Sequence, residues 1–155
     1  MVGRLDAAWG ANPPLGTYPD GQGDFPVNGV SWYEAAAYAA FRKKALPSAF
    51  HWRRAAAFGN GTFNTNFADI LTASNFGLKG PAPVGSHLGL GPFGTYDMAG
   101  NVKEWCWNEA PGGRMILGGA WNEPSYMFQD RDAQSPLERA ATFGFRLALY
   151  PTPPA

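Results

Sequence analysis

Residues 94–108 read GTYDMAGNVKEWCWN. Asp97 and Glu104 flank a Met-Ala-Gly-Asn turn, and Tyr96, Trp105 and Trp107 crowd around them. Aromatic rings of this size belong in a core. Carboxylates enter a core only when something pairs with them. The stretch therefore reads as a tight turn held over a core, with two acids that need a partner. Calcium is one such partner: it takes six to eight oxygens at about 2.3–2.6 Å from carboxylates, backbone carbonyls and water. Asp97 and Glu104 would give side-chain oxygens. Gly100 relaxes the backbone so that carbonyls near Gly100 and Val102 can turn inward. The spacing is not that of an EF-hand loop. The same residues also read as a turn with two solvated acids.

Upstream, VSWYEAAAYAAFRKKALP (30–47) predicts a helix. Ser31 and Glu34 form a capping box, the alanines favour helix, and Arg42, Lys43 and Lys44 place positive charge at the closing end. Pro47 stops it. A shorter helix is predicted from about Ala49 to Phe58, capped by Ser48 and ended by Gly59, with Trp52, Ala55 and Ala56 on one face. Residues 1–26 and 59–94 read as loops. Near the end, RMIL (114–117) is a short candidate strand. FGFRLALY (143–150) is a clearer one, with Phe143, Phe145, Leu147 and Leu149 alternating toward a core. The tail PTPPA (151–155) stops it.

The chain has 155 residues, which suits one domain spanning 1–155. Lys plus Arg is 12 and Asp plus Glu is 12. That balance offers no basic surface for phosphates, so a nucleic-acid partner is not expected. Cys106 is the only cysteine, so no disulfide can form within the chain. No apolar run approaches a membrane span and no signal peptide is seen, which is compatible with a cytoplasmic location. His51 and His87 are the only histidines. They stand at no metal-ligand spacing, and His51 reads as a surface residue.

Four blocks in order carry a resemblance: PVNGVSWYEAAAYAAF with LPSAFHWRRAAA, PVGSHLGLGPFGTYDMAGNVKEW, LGGAW and FGFRLAL. Together they resemble the formylglycine-generating enzyme family, also called sulfatase-modifying factors, over roughly residues 26–149. The resemblance implies an α+β, C-type-lectin-like fold: two helices on short twisted antiparallel strands, with long ordered loops often held by calcium. It implies a structural calcium on the side chains of Asp97 and Glu104 and the carbonyls of Gly100 and Val102. It matches the start of a second calcium site to Asn75 and the Phe76 carbonyl, whose remaining ligands are missing from a shortened loop. The family's N-terminal portion before PVNGVSW is longer than this chain's.

The resemblance also exposes a departure. Formylglycine-generating enzymes hold copper on two cysteines that follow a Gly-Gly pair. Counting from Gly118-Gly119 puts Glu123 and Phe128 at those positions, and Cys106 lies elsewhere. Soft thiolates select Cu(I), so copper and the oxidase activity are not expected here. Iron-dependent relatives place their ligands largely in an extra domain that this chain lacks. The wording GGAWNEPSYMF (118–128) is similar to family modules fused to bacterial serine/threonine kinases, which implies a fused or associated kinase.

The segment 120–141 then stands as a ligand-binding surface, with Trp121, Asn122, Glu123, Tyr126, Phe128, Asp130 and Arg131 as candidates. The plainer reading puts Trp121 and Phe128 in the core and pairs the charges. The expected function is a non-catalytic, calcium-braced binding or sensor module for an unknown ligand or protein. One alternative is a metal-dependent oxidoreductase built on Glu123 and a histidine. Another is a retroelement-diversified ligand-binding protein, although only Asn122 fits its Asn-rich variable pattern.

Overall fold

The computed structural model describes residues 21–56 and 67–151. Helix α1 spans Trp32–Phe41. The predicted capping box is present: Ser31 Oγ accepts from the Glu34 amide, and Glu34 Oε2 accepts from the Ser31 amide at 2.8 Å. Lys43 adopts a left-handed φ of 53°, which ends the helical run before Pro47. Helix α2 spans Ala49–Ala56, and Ser48 Oγ accepts from the His51 amide as its cap. Trp52 and Ala56 are buried on one face and Ala55 packs beside them, as the spacing predicts.

Helix α3, Phe67–Thr72, falls inside the stretch expected to be loop. Strand β1, Lys103–Ala110, was not anticipated either. Strand β2 is Gly113–Leu117, which contains the predicted RMIL. A 3₁₀ turn covers Ser125–Gln129, followed by β3 at Asp132–Gln134 and β4 at Phe143–Gly144. The sheet order is β3-β2-β1-β4. β1 pairs antiparallel with β2 but parallel with β4, through Lys103–Phe143 and Glu104–Gly144, so the sheet is mixed rather than wholly antiparallel.

The sheet separates two cores. Trp105 and Ile116 face Trp32, Ala35, Tyr38 and Ala39 of α1, with Phe143 and Phe145. Cys106 and Leu117 face Trp52 and Ala56 of α2, with Met98 and Phe128. Neighbouring strand residues point to opposite faces, so β1 is buried on both sides where it begins.

The FGFRLALY expectation needs correction. Only Phe143–Gly144 pairs as strand, with an isolated bridge from Ala148 to Ala45. Phe143 and Phe145 are buried, but Leu149 is 73% exposed and Arg146 only 6% exposed. The chain leaves the sheet after Gly144, so a two-residue period no longer sets the facing. The predicted helix end at Gly59, the loop 59–66, the loop-like stretch 1–20 and the tail 152–155 lie outside the described residues. Among the described residues, no helix is long and apolar enough to cross a membrane.

Candidate functional site

β1 begins directly after the turn of the opening stretch, and this carries Glu104 into the interior. Glu104 is 1% exposed. Its Oε2 accepts from the Trp52 indole Nε1 at 2.6 Å and from Arg146 Nε at 2.5 Å. Its Oε1 accepts from Arg146 Nη2 at 2.7 Å. Arg146 Nη2 also donates to the carbonyls of Tyr96 at 3.1 Å and Asp97 at 3.3 Å. Burial opposes the guanidinium charge, but Glu104 outweighs it and holds Arg146 more firmly protonated than usual.

Asp97 is buried, with a left-handed φ of 53°, and its Oδ2 accepts from the Gly85 amide at 2.8 Å. Burial pushes its carboxyl above the usual range, against the Gly85 hydrogen bond. Glu104 adds to that rise and Arg146 opposes it. The fit of calcium to this loop can be tested on these contacts. Both Glu104 oxygens already hold cationic or indole donors, and a divalent ion beside them would stand against the guanidinium. Of the expected set of Asp97, Gly100, Val102 and Glu104, Glu104 thus has no lone pair left on Oε2 for a metal ion in this arrangement.

Asn75 sits alongside the turn. It bridges to Gly100, and its carbonyl accepts from the Asn101 amide at 2.9 Å. Asn101 Oδ1 accepts from the Ala82 amide and Asn101 Nδ2 donates to the Ala82 carbonyl, which fixes that amide's orientation. Asn75 Nδ2 then donates to Asn101 Oδ1 at 3.1 Å and to the Gly80 carbonyl at 3.2 Å. Asn75 Oδ1 is left buried, with no donor among the described residues. A buried oxygen without a donor is the chemistry a hard cation or an internal water completes.

The segment after Gly118-Gly119 divides its candidates. Glu123 Oε2 accepts from the Ala120 amide at 2.9 Å, and Oε1 lies 2.7 Å from Lys103 Nζ. Lys103 also contacts Asp132. Burial opposes the ammonium charge, but Asp132 and Glu123 together hold its pKa above the ordinary 10.5. Phe128 is buried against Trp52, ring centroids 6.2 Å apart, so it packs in the core while one edge lines a cavity. Trp121 is half-buried, and its indole N–H has no acceptor among the described residues. Asn122, Asp130 and Arg131 are exposed, and Tyr126 stands 71% exposed. A cavity of about 300 Å³ opens beside Phe128, walled by Trp52, Arg53, Gln129 and Asp130.

Cys106 is fully buried beneath α2, and burial pushes its thiol well above the ordinary value. His51 is exposed, with Nδ1 2.6 Å from Ser48 Oγ, and that hydroxyl is the helix cap rather than a nucleophile. Among the described residues, no three His, Cys, Asp or Glu side chains come together to hold a metal. Sequence reasoning missed Lys103, Asp132, Arg146 and Trp52 as partners of the candidate acids. The available signals were the arginine inside FGFRLALY and the lysine inside NVKEW, each a charge among apolar residues.

The sulfatase-modifying factor enzyme 1-like domain matches residues 6–150. The serine/threonine-protein kinase pkn1 of Chlamydia caviae is 32% identical over 152 residues, covering 83% of this chain and 24% of the kinase. Inactive Cα-formylglycine-generating enzyme 2 of Bos taurus is 30% identical over 117 residues, covering 63% of this chain and 39% of that protein. Treponema denticola variable protein 1 has a similar fold, with a TM-score of 0.67 at 21% identity over 91% of this chain and 78% of that one. The chain spans about a quarter of the length of the kinase relatives. With an α+β, C-type-lectin-like architecture and a family match over nearly its whole length, this chain belongs to the sulfatase-modifying factor family.

Proposed function

We propose that this chain is a non-catalytic binding or sensor module without copper-dependent formylglycine-generating activity. One observation carries the reading. The two positions that the resemblance sets opposite the family's cysteines hold a carboxylate committed to Lys103 and a phenyl ring packed on Trp52. Neither offers a thiolate, and Cu(I) selects soft sulfur ligands. Cys106 is a single sulfur, buried and held protonated. Similarity to pkn1 supports a fused or associated kinase module as its partner.

The ligand would meet the exposed part of the 121–131 segment, where Tyr126 and Arg131 project and Trp121 is half-buried. Calcium keeps one support, Asn75 Oδ1 beside the Phe76 backbone. The test is a Cu(I) titration against a competing chelator, run with an assay for oxidation of a cysteine-containing peptide. The expected result is no Cu(I) retention and no aldehyde product. Stoichiometric Cu(I) with peptide oxidation would establish an oxidoreductase instead.

A further inference from the structure

We infer that the guanidinium of Arg146 is the cation of the 96–104 loop, and that this loop takes up no calcium. The inference goes beyond the binding-module reading and stands independently of it.

The geometry is that of a built-in ion. A bound divalent cation in such a loop would join the carboxylate of β1 to the backbone of the preceding turn. Arg146 already makes both connections: two hydrogen bonds to Glu104, at 2.5 and 2.7 Å, and two to the Tyr96 and Asp97 carbonyls. A carboxylate oxygen has two lone pairs. Those of Glu104 Oε2 are taken by Arg146 Nε and by the Trp52 indole. Oε1 faces Nη2 of the same guanidinium.

Charge balance points the same way. Glu104 is 1% and Arg146 6% exposed, so each charge depends on the other for its compensation. Arginine suits this role, because its planar fork meets a carboxylate with two parallel bonds and it stays protonated when buried. A calcium ion at Glu104 would find only the second lone pair of Oε1, directly beside the positive guanidinium. Asp97 does not reach into the pair: its Oδ2 caps the Gly85 amide.

The test uses the full chain, stripped with chelator, with thermal unfolding followed as calcium is added to millimolar concentration. The wild-type midpoint is expected to show no rise that depends on Asp97. A native-state site filled to a hundredfold over its dissociation constant would raise it by about 5–10 °C in a domain of this size. Arg146→Gln vacates the cation position, and calcium is expected to raise its midpoint. Arg146→Lys keeps a charge and should remain calcium-silent, which covers the case in which Arg146→Gln does not fold. A calcium-dependent rise in wild type that disappears in Asp97→Ala overturns the inference. A rise that survives Asp97→Ala but disappears in Asn75→Ala upholds it and locates the ion at Asn75.

Discussion

Lys103 Nζ lies 2.7 Å from Glu123 Oε1, with only 6% of the lysine side chain exposed. The ammonium is shared with Asp132 of β3, so one buried lysine ties the strand beginning at Lys103 to both ends of the 123–132 segment. Glu123 is thereby structural: it also caps the Ala120 amide in the turn after Gly118-Gly119.

Removing that lysine leaves two carboxylates facing each other. Lys103→Met is expected to cost about 2–3 kcal/mol, somewhat less than a fully buried pair because both acids keep partial solvent contact. The folded-state pKa of Lys103 is raised above the ordinary 10.5. Its stabilisation is therefore complete below that value and fades as pH rises through the higher folded value. Urea unfolding across the alkaline range should show wild type losing stability above about pH 10.5, with a flatter profile for Lys103→Met. Parallel profiles for the two proteins would refute the assignment.

The α1 cap makes a separate, acid-side prediction. Burial would raise the Glu34 carboxyl, but hydrogen bonds from Arg139 and Ser31 outweigh it and hold it below 4.5. Such a group stabilises the fold above its unfolded value, and the contribution is lost as pH falls through the folded value. Ser31→Ala should cost about 1 kcal/mol at neutral pH. Glu34→Gln should be less stable than wild type at pH 7, with the gap closing at a strongly acidic pH below the folded value, itself under 4.5. A gap that is the same at both pH values would assign the loss to packing.

Cys106 is expected to resist thiol reagents. It is fully buried, its thiol is pushed up first by burial and then by Glu104, and the thiolate is the reactive form. A maleimide or disulfide reagent at pH 8 should label the native protein at the rate of unfolding, and label it at once in denaturant. Fast labelling under native conditions would contradict the burial of β1 against α2.

The turn at Gly100 should tolerate no side chain. Its φ is 72°, and a Cβ there would lie 2.4 Å from the Asn75 carbonyl oxygen. Gly100→Ala is expected to cost about 2–4 kcal/mol through strain and loss of the Asn75–Asn101 contact. Chemical denaturation measures that loss. A cost under about 0.5 kcal/mol would mean that the turn relaxes freely.

Much of this molecule was legible in the residues alone. The Ser31–Glu34 cap, the alanine-rich α1, the short amphipathic α2 and the RMIL strand are local features, governed by contacts three or four residues apart or by alternation. The aromatic crowding of 94–108 announced a core, but of its three rings only Trp105 lies in one; Tyr96 is 41% exposed, and Trp107 is 54% exposed because β1 is buried only where it begins. The match of four ordered blocks announced the family and its α+β, C-type-lectin-like architecture. Strand β1 was not legible, because its first two residues are charged and a two-sided buried strand shows no alternation. The parallel pairing of β1 with β4 joins residues some forty positions apart, and no local pattern reports it.

The sequence by itself determined that the chain folds as this family does, where its first two helices begin, and that no cysteine pair follows Gly118-Gly119. Only the tertiary structure decided what the acids are for. Glu104 meets Arg146 and Trp52, Glu123 meets Lys103, and Phe128 turns inward onto Trp52. A carboxylate read in one dimension is an open ligand. Its partners are chosen when the sheet closes, because a buried charge is tolerated only where folding brings its counter-charge within hydrogen-bond reach.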